Sequence, residues 1–223
     1  MNMTEIAVID YGMGNLHSVA KALEHAAPDN KLKINVTADP KLIHSADKVL
    51  LPGVGSMRDC MGEMQRLDLI GLIKEAAETK PFLGICIGMQ ALMSHSDENN
   101  GVDCLDIIPG QVLRFGDNLS EKSADKSEDM RLKIPHMGWN QVQQNFTHPL
   151  WKDIEQLQRF YFVHSYYVQA DAPEVSAAST VYGHPVTVAL AKENVFATQF
   201  HPEKSAAAGL QLFSNFIQWD GTA

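Results

Sequence analysis

The chain has 223 residues, with 27 acidic against 18 basic side chains and a formal net charge of −9 at pH 7. That balance offers no basic stripe to nucleic acid or to an anionic membrane surface, and no apolar run approaches the roughly 18 residues a membrane span needs. Three cysteines, Cys60, Cys86 and Cys104, show neither a CxxC pair nor Cys/His spacing suited to zinc. They argue against a disulfide framework, and neither a metal nor a cofactor is expected.

From the N-terminus, IAVID (6–10) is a short β-branched run, YGMGN follows as a glycine turn, and LHSVAKALEHAA (16–27) carries apolar residues at helical spacing. The chain enters this strand at once, without a basic leader or a small-residue cleavage site, which predicts a cytoplasmic protein. KINV (33–36) predicts a second strand, and KVLLPGVGS (48–56) a third that stops at a Pro/Gly loop. Residues 57–80 read as mostly helical with a break near Gly71, PFLGI (81–85) as a buried strand, and CIGMQALMSH (86–95) as a helix. Strands alternating with helices predict an α/β fold with crossover connections and a mainly parallel central sheet flanked by helices.

The texture then changes. GDNLSEKSADKSEDM (116–130) is charged and poor in apolar residues, which predicts a mobile insertion. Beyond it FYFVHSYYV (160–168), PVTVALA (185–191) and VFATQF (195–200) predict strands joined by tight turns, some of them antiparallel, and AAAGLQLFSNFIQW (206–219) predicts a closing helix. With no internal repeat and no dividing linker, one domain over residues 1–223 is expected.

Three stretches carry the chemistry. In GICIG (84–88), Cys86 stands where a strand passes into a helix, and a sharp turn there lifts a nucleophile clear of the sheet. Gly84 and Gly88 leave room for such a turn, and a helix N-terminus favours the thiolate. In QFHPEKS (199–205), His201 and Glu203 are two apart, so in an extended segment both leave on one face. The carboxylate can then hold one imidazole nitrogen while the other faces Cys86. In LPGVGS (51–56), Gly53 and Gly55 allow backbone N–H groups to turn toward an oxyanion, together with the N–H of Ile87. Singly, these are equally an inert buried thiol, a surface His/Glu pair and an ordinary tight turn. Their joint occurrence favours a site.

The sequence resembles the class I (triad) glutamine amidotransferases, whose signature is a GxCxG elbow with a distant HPE. IDYGMGNLHSV (9–19), LPGVGS, GICIGMQAL (84–92), PHMGWN (135–140), YFVHSYY (161–167) and FHPEKS (200–205) narrow the resemblance to the glutaminase subunits of imidazole glycerol phosphate synthase. They follow the family's order over nearly the whole chain. The resemblance implies a flavodoxin-like three-layer fold, with Cys86 as nucleophile, His201 as general base and acid, and Glu203 as the orienting carboxylate. It implies hydrolysis of L-glutamine through a cysteinyl thioester, an oxyanion hole at Gly53, Val54 and Ile87, and substrate contacts from Gln90, His164, Ser165 and Tyr166.

It further implies ammonia channelled to a separate (β/α)8 cyclase subunit that forms imidazole glycerol phosphate and AICAR in histidine biosynthesis. Asn15, Met137, Trp139, Asn140 and Lys204 match places that face that partner, with ordinary packing as the alternative for Met137 and Trp139. The glycines of PGVG suggest one peptide that flips when the partner is engaged. Ser56, Met57 and Arg58 depart from the family pattern and predict altered packing after that loop. Two other readings stay open: a Cys-His hydrolase of the same architecture acting without a partner, and a non-catalytic module that retains the fold.

Overall fold

Apolar runs that alternate between period 2 and period 3.6 build the first half of the molecule as strand, helix, strand. The computed structural model describes residues 3–27, 32–117, 119–122 and 129–222. In it β1 (Thr4–Ile9) leads through the glycine turn to α1 (Leu16–Ala26), followed by β2 (Leu32–Thr37), α2 (Pro40–Ser45) and β3 (Lys48–Leu51). Next come α3 (Met57–Arg66), α4 (Ile70–Thr79), β4 (Phe82–Ile85) and the single turn α5 (Ile87–Gln90).

The second half is mostly strands. β5 (His95–Ser96), β6 (Val102–Asp103) and β7 (Gly110–Arg114) precede the short pair β8 (Ser120–Lys122) and β9 (Asp129–Arg131). β10 (His136–Gln141), β11 (Gln143–Gln144), β12 (Arg159–His164), β13 (Tyr166–Ala170), β14 (Ser176–Tyr182), β15 (His184–Lys192) and β16 (Val195–Thr198) follow, and α6 (Ala206–Gln218) closes the chain.

The main sheet runs β2-β1-β3-β4-β16-β15-β13-β7-β5-β6. Its first five strands are mutually parallel, and from β16 onward the pairing with β15 and β13 is antiparallel. β14 pairs with β15 and β11, while β10 and β12 form a separate two-stranded sheet. Every residue of β3, β4 and β16 is buried, as expected of strands covered on both faces. α1 packs against α6, and α2 against α4. A mainly parallel core with antiparallel strands toward the C-terminus is therefore the observed architecture.

Several local expectations change. The break expected near Gly71 falls at residues 67–69, where Asp68 takes a φ of 56°, and Gly71 itself sits in the first turn of α4. The expected helix over 86–95 stops at Gln90, because the carbonyls of Ala91, Leu92, Met93 and Ser94 accept hydrogen bonds from the N–H groups of residues 104–108. FYFVHSYYV is divided at Ser165: β12 pairs with β10, whereas β13 pairs with β7 and β15. In the charged stretch expected to be mobile, Ser120 pairs with Arg131 and Lys122 with Asp129. Positions 118 and 123–128 of that stretch lie outside the described residues. β7, β10, β14 and α2 carry too little apolar periodicity to be foreseen.

One close approach fixes the elbow after β4. A Cβ on Gly88 would stand 2.0 Å from the Leu51 carbonyl oxygen of β3, and one on Gly84 would stand 2.9 Å from the Gly88 carbonyl oxygen. The elbow therefore lies against the neighbouring strand at a distance only glycine allows. Gly88→Ala is expected to cost about 2 kcal/mol or more in urea-induced unfolding, the range of an overpacked core. Unfolding indistinguishable from the parent would show that the elbow does not rest on β3.

Burial also sets the charge of three core imidazoles. His136, His148 and His164 are buried, and loss of solvent pushes their pKa values down from 6.5 to about 4, 4 and 3. A histidine neutral in the fold and protonated when unfolded makes the unfolded chain bind more protons between those values and 6.5, so stability falls as pH drops below about 6.5. The melting temperature should decline progressively from pH 7 to pH 5. His148→Asn, which keeps an acceptor for the Leu150 N–H now bound at 3.2 Å, should flatten that decline, and an unchanged slope would contradict it.

Candidate active site

β4 lies between β3 and β16, and all three run in the same direction. Their carboxyl ends therefore deliver the 52–55 loop, Cys86 and the segment 199–203 to one edge of the sheet, the usual place for a site in an open parallel sheet. Cys86 itself takes a φ of 55° and a ψ of −108°, a backbone conformation rare for a side-chain-bearing residue. Its N–H donates to the Thr198 carbonyl at 2.7 Å, which ties the elbow to β16. The helix that follows is one turn long. It supplies free N–H groups, but the dipole expected of a longer helix is correspondingly small.

His201 follows β16, and its N–H donates to the Tyr161 carbonyl at 2.9 Å. Pro202–Lys204 then form a single 3-10 turn. This turn, and not the alternation of an extended segment, brings Glu203 back to the imidazole. His201 Nδ1 and Glu203 Oε1 are 2.8 Å apart, with both side chains almost fully buried. Nδ1–H donating to the carboxylate leaves Nε2 as the nitrogen available for proton exchange with Cys86, and Nε2 is buried without a hydrogen bond of ordinary geometry. Burial by itself lowers the His201 pKa, but its interactions with the Cys86 sulfur and with Glu203 outweigh that, so the net shift is upward.

A cavity of about 310 Å³ opens over Cys86, at the small end of ligand sites. Val54, Gly55, Ile87, Gln90 and Glu98 line one part, and Ser165, Tyr166, His164, His201 and Lys204 another. Gly53 sits behind this wall, where a Cβ would be 2.7 Å from both the Ile87 Cβ and the Tyr11 hydroxyl. Tyr11 donates to the Pro52 carbonyl at 2.7 Å, and the Cys60 thiol donates to the Val54 carbonyl at 3.5 Å. Burial raises the pKa of both donors, that of Cys60 to about 11, so both keep their protons. Among the described residues, neither the Gly53 nor the Val54 N–H has a hydrogen-bond partner.

The polar wall is heavily bonded. Gln90 Nε2 donates to the Tyr166 carbonyl at 3.2 Å and to Gln199 Oε1 at 3.0 Å. Both nitrogens of His164 are engaged, Nδ1 with the Tyr166 carbonyl at 2.7 Å and Nε2 with His136 Nδ1 at 2.9 Å. His164 therefore meets the cavity with its ring and has no free nitrogen to offer a ligand. Two further polar residues not singled out in the sequence, Glu98 and Gln199, join the site. Glu98 lines the cavity and accepts from the Met57 N–H at 2.8 Å, and Gln199 is wholly buried beside Cys86. Gln199 borders the HPE motif, but its role depends on which strands are neighbours. Glu98 lies in the turn-forming DENNG, which reads only as a polar loop.

β10 exposes alternate side chains: Met137 is 62% and Trp139 49% exposed. Trp139 meets Tyr161 edge to face at 6.1 Å, and Lys204 Nζ lies 5.9 Å from the same ring centre. Asn140 turns inward, donating to the Val181 carbonyl at 3.0 Å. Asn15 is exposed just before α1, and Gly14 beside it packs toward Pro52. Among the described residues no group of three or more His, Cys, Asp or Glu is arranged to hold a metal, and no helix is long and apolar enough to cross a membrane. A thiol, an imidazole and a buried carboxylate meeting at one cavity can perform covalent acyl transfer.

The profile of the family described as glutamine amidotransferase class-I matches residues 7–219. An imidazole glycerol phosphate synthase subunit HisH from Pseudomonas putida is 55% identical over 219 residues, covering 98% of this chain and 99% of that protein. One from Nitrosococcus oceani is 52% identical over 221 residues, covering 99% and 100%. The fold is also similar to the structure of PurLQS from Thermotoga maritima, with a TM-score of 0.68 at 18% identity over 97% of this chain and 98% of that one. The chain thus belongs to the class-I glutamine amidotransferases and, within them, to the family of HisH subunits of imidazole glycerol phosphate synthase.

Proposed function

We propose that this chain hydrolyses L-glutamine to glutamate and ammonia and hands the ammonia to a cyclase subunit of imidazole glycerol phosphate synthase in histidine biosynthesis. The observation that carries the reading is the buried His201–Glu203 pair at 2.8 Å, whose remaining nitrogen belongs with Cys86 at the floor of the cavity. In this reading the Cys86 sulfur attacks the carboxamide carbon, and the Val54 and Ile87 N–H groups receive the developing oxyanion. Nε2 of His201, carrying the proton it has taken from the Cys86 thiol, gives that proton to the departing ammonia. It then takes one from the water that cleaves the glutamyl thioester, which releases glutamate and restores the thiolate.

Among the described residues, the single carboxylate on the cavity wall outside the triad, Glu98, faces the substrate's α-ammonium in this reading. The exposed Met137 and Trp139 form part of an apolar surface on which the cyclase subunit docks. The relatives are named as subunits of that synthase, and two-subunit working follows for this chain by similarity. Ammonia passes to a (β/α)8 partner that closes the imidazole ring and releases AICAR. Residues 1–223 act as one domain, and the free thiols suit a reducing cytoplasm.

Cys86→Ala should reduce glutamine hydrolysis by about a thousandfold or more, while the variant mixed with the cyclase still supports ring closure from added ammonium. Undiminished glutamine turnover in that variant would overturn the assignment. Cleavage of peptides or γ-glutamyl conjugates without a partner would favour a free-standing hydrolase. Glu98→Gln is expected to raise the KM for glutamine about tenfold or more with a smaller change in kcat, since a charge-assisted contact to the substrate is lost. An unaltered KM would remove Glu98 from substrate binding.

A further inference from the structure

Gln199 is wholly buried, stands one residue past β16, and lies 3.7 Å from the Cys86 sulfur through its side-chain nitrogen. An amide side chain can face a neighbour with either its oxygen or its nitrogen, so the question is what decides its orientation. The answer lies in a chain of bonds ending on a group that can only accept. The Tyr166 carbonyl receives Gln90 Nε2 at 3.2 Å, which fixes the amide of Gln90 with its nitrogen inward. The same nitrogen donates to Gln199 at 3.0 Å, so the Gln199 atom it meets must be the oxygen. What remains for the sulfur is the Gln199 N–H.

The Tyr166 carbonyl is itself held from the other side. His164 Nδ1 donates to it at 2.7 Å, which leaves His164 Nε2 as an acceptor for His136 Nδ1–H at 2.9 Å. His136 Nε2 in turn faces the Asn140 amide at 3.3 Å. Both imidazoles are buried, and His136 stacks between Phe162 at 4.8 Å and Tyr182 at 4.0 Å. One backbone carbonyl thus sets the polarity of two branches, one leading out to β10 and one leading in to Cys86.

We propose that Gln199 is a further catalytic residue, donating its amide N–H to the Cys86 sulfur and stabilising the thiolate. Gln90 and the His136–His164 pair are positioning residues that fix which end of that amide faces the nucleophile. The inference rests on Cys86 being the nucleophile of the proposed glutaminase, and it adds a donor that the triad and the oxyanion loop do not contain. The titratable groups facing the sulfur are His201, Tyr11 and Cys60. Substituting Gln199 leaves all three in place.

The test reads the sulfur directly. The pH dependence of Cys86 alkylation by iodoacetamide, followed on its own peptide by mass spectrometry, is compared between the parent and Gln199→Glu, which keeps shape and the acceptor for Gln90 but presents no N–H. The alkylation midpoint should rise by about one pH unit, which is about tenfold less thiolate at any pH well below the midpoint. Gln199→Leu, which removes donor and acceptor without adding charge, should shift it in the same direction.

Folded variants with the parent's profile would overturn the proposal. In such a case a Cys86 that still titrates and turns over glutamine leaves the glutaminase reading standing. Should both variants fail to fold, the parent labelled with side-chain 15N-glutamine decides. One buried amide pair is expected to shift over the pH range in which Cys86 becomes reactive, and not in Cys86→Ala. Flat profiles for every such pair would refute the hydrogen bond.

Discussion

Between the Leu51 carbonyl and the backbone of Gly88 there is no room for a methyl group, and the placement of everything chemical follows from that approach. β4 is held against β3 on one side and β16 on the other, all in parallel register. The elbow after β4 must therefore turn within the width of one strand. Cys86 absorbs the turn in its own φ of 55°, and its N–H is tied to the Thr198 carbonyl. The thiol consequently emerges between a loop from one neighbour and an imidazole from the other. A larger residue at position 88 would move the sulfur away from both.

Burial decides which groups around that sulfur carry charge. Tyr11, Cys60, His136 and His164 lose solvent without gaining a charged partner, and each is held in its neutral form. His201 loses solvent too, yet its position between Cys86 and Glu203 reverses the outcome. The site thus holds one imidazole favoured in its charged form inside a shell of neutral, hydrogen-bonded polar groups.

Much of this was readable from residue order. IAVID, KVLL and PFLGI are apolar runs bounded by glycine and proline, and they are strands because nothing else buries them so economically. GxCxG and HPE brought Cys86, His201 and Glu203 together on paper, although the 3-10 turn at Pro202–Lys204 replaced the extended geometry imagined for the pair. Other features could not be read there. The helix after Cys86 stops at Gln90 because residues 104–108 claim the carbonyls that follow, and a contact between such distant segments leaves no local periodicity. Gln199 and Glu98 look like ordinary polar residues until strand order and loop path place them at the cavity. Met137 and Trp139 suggested core as readily as surface, and only the alternation along β10 shows them exposed.

The two neutral donors behind the 52–55 loop have a mechanical consequence. Tyr11 anchors the peptide that begins at the Pro52 carbonyl, and Cys60 anchors the one that begins at the Val54 carbonyl. Among the described residues, the peptide plane between them, from the Gly53 carbonyl to the Val54 N–H, is the unanchored member of the three. A rotation about the line joining its two Cα atoms would be a crankshaft motion, with Gly53 supplying the torsional latitude at one bearing. Such a rotation would swing the N–H through a wide arc while both axle ends stay put, so reorienting that donor needs no rearrangement of the sheet beneath it.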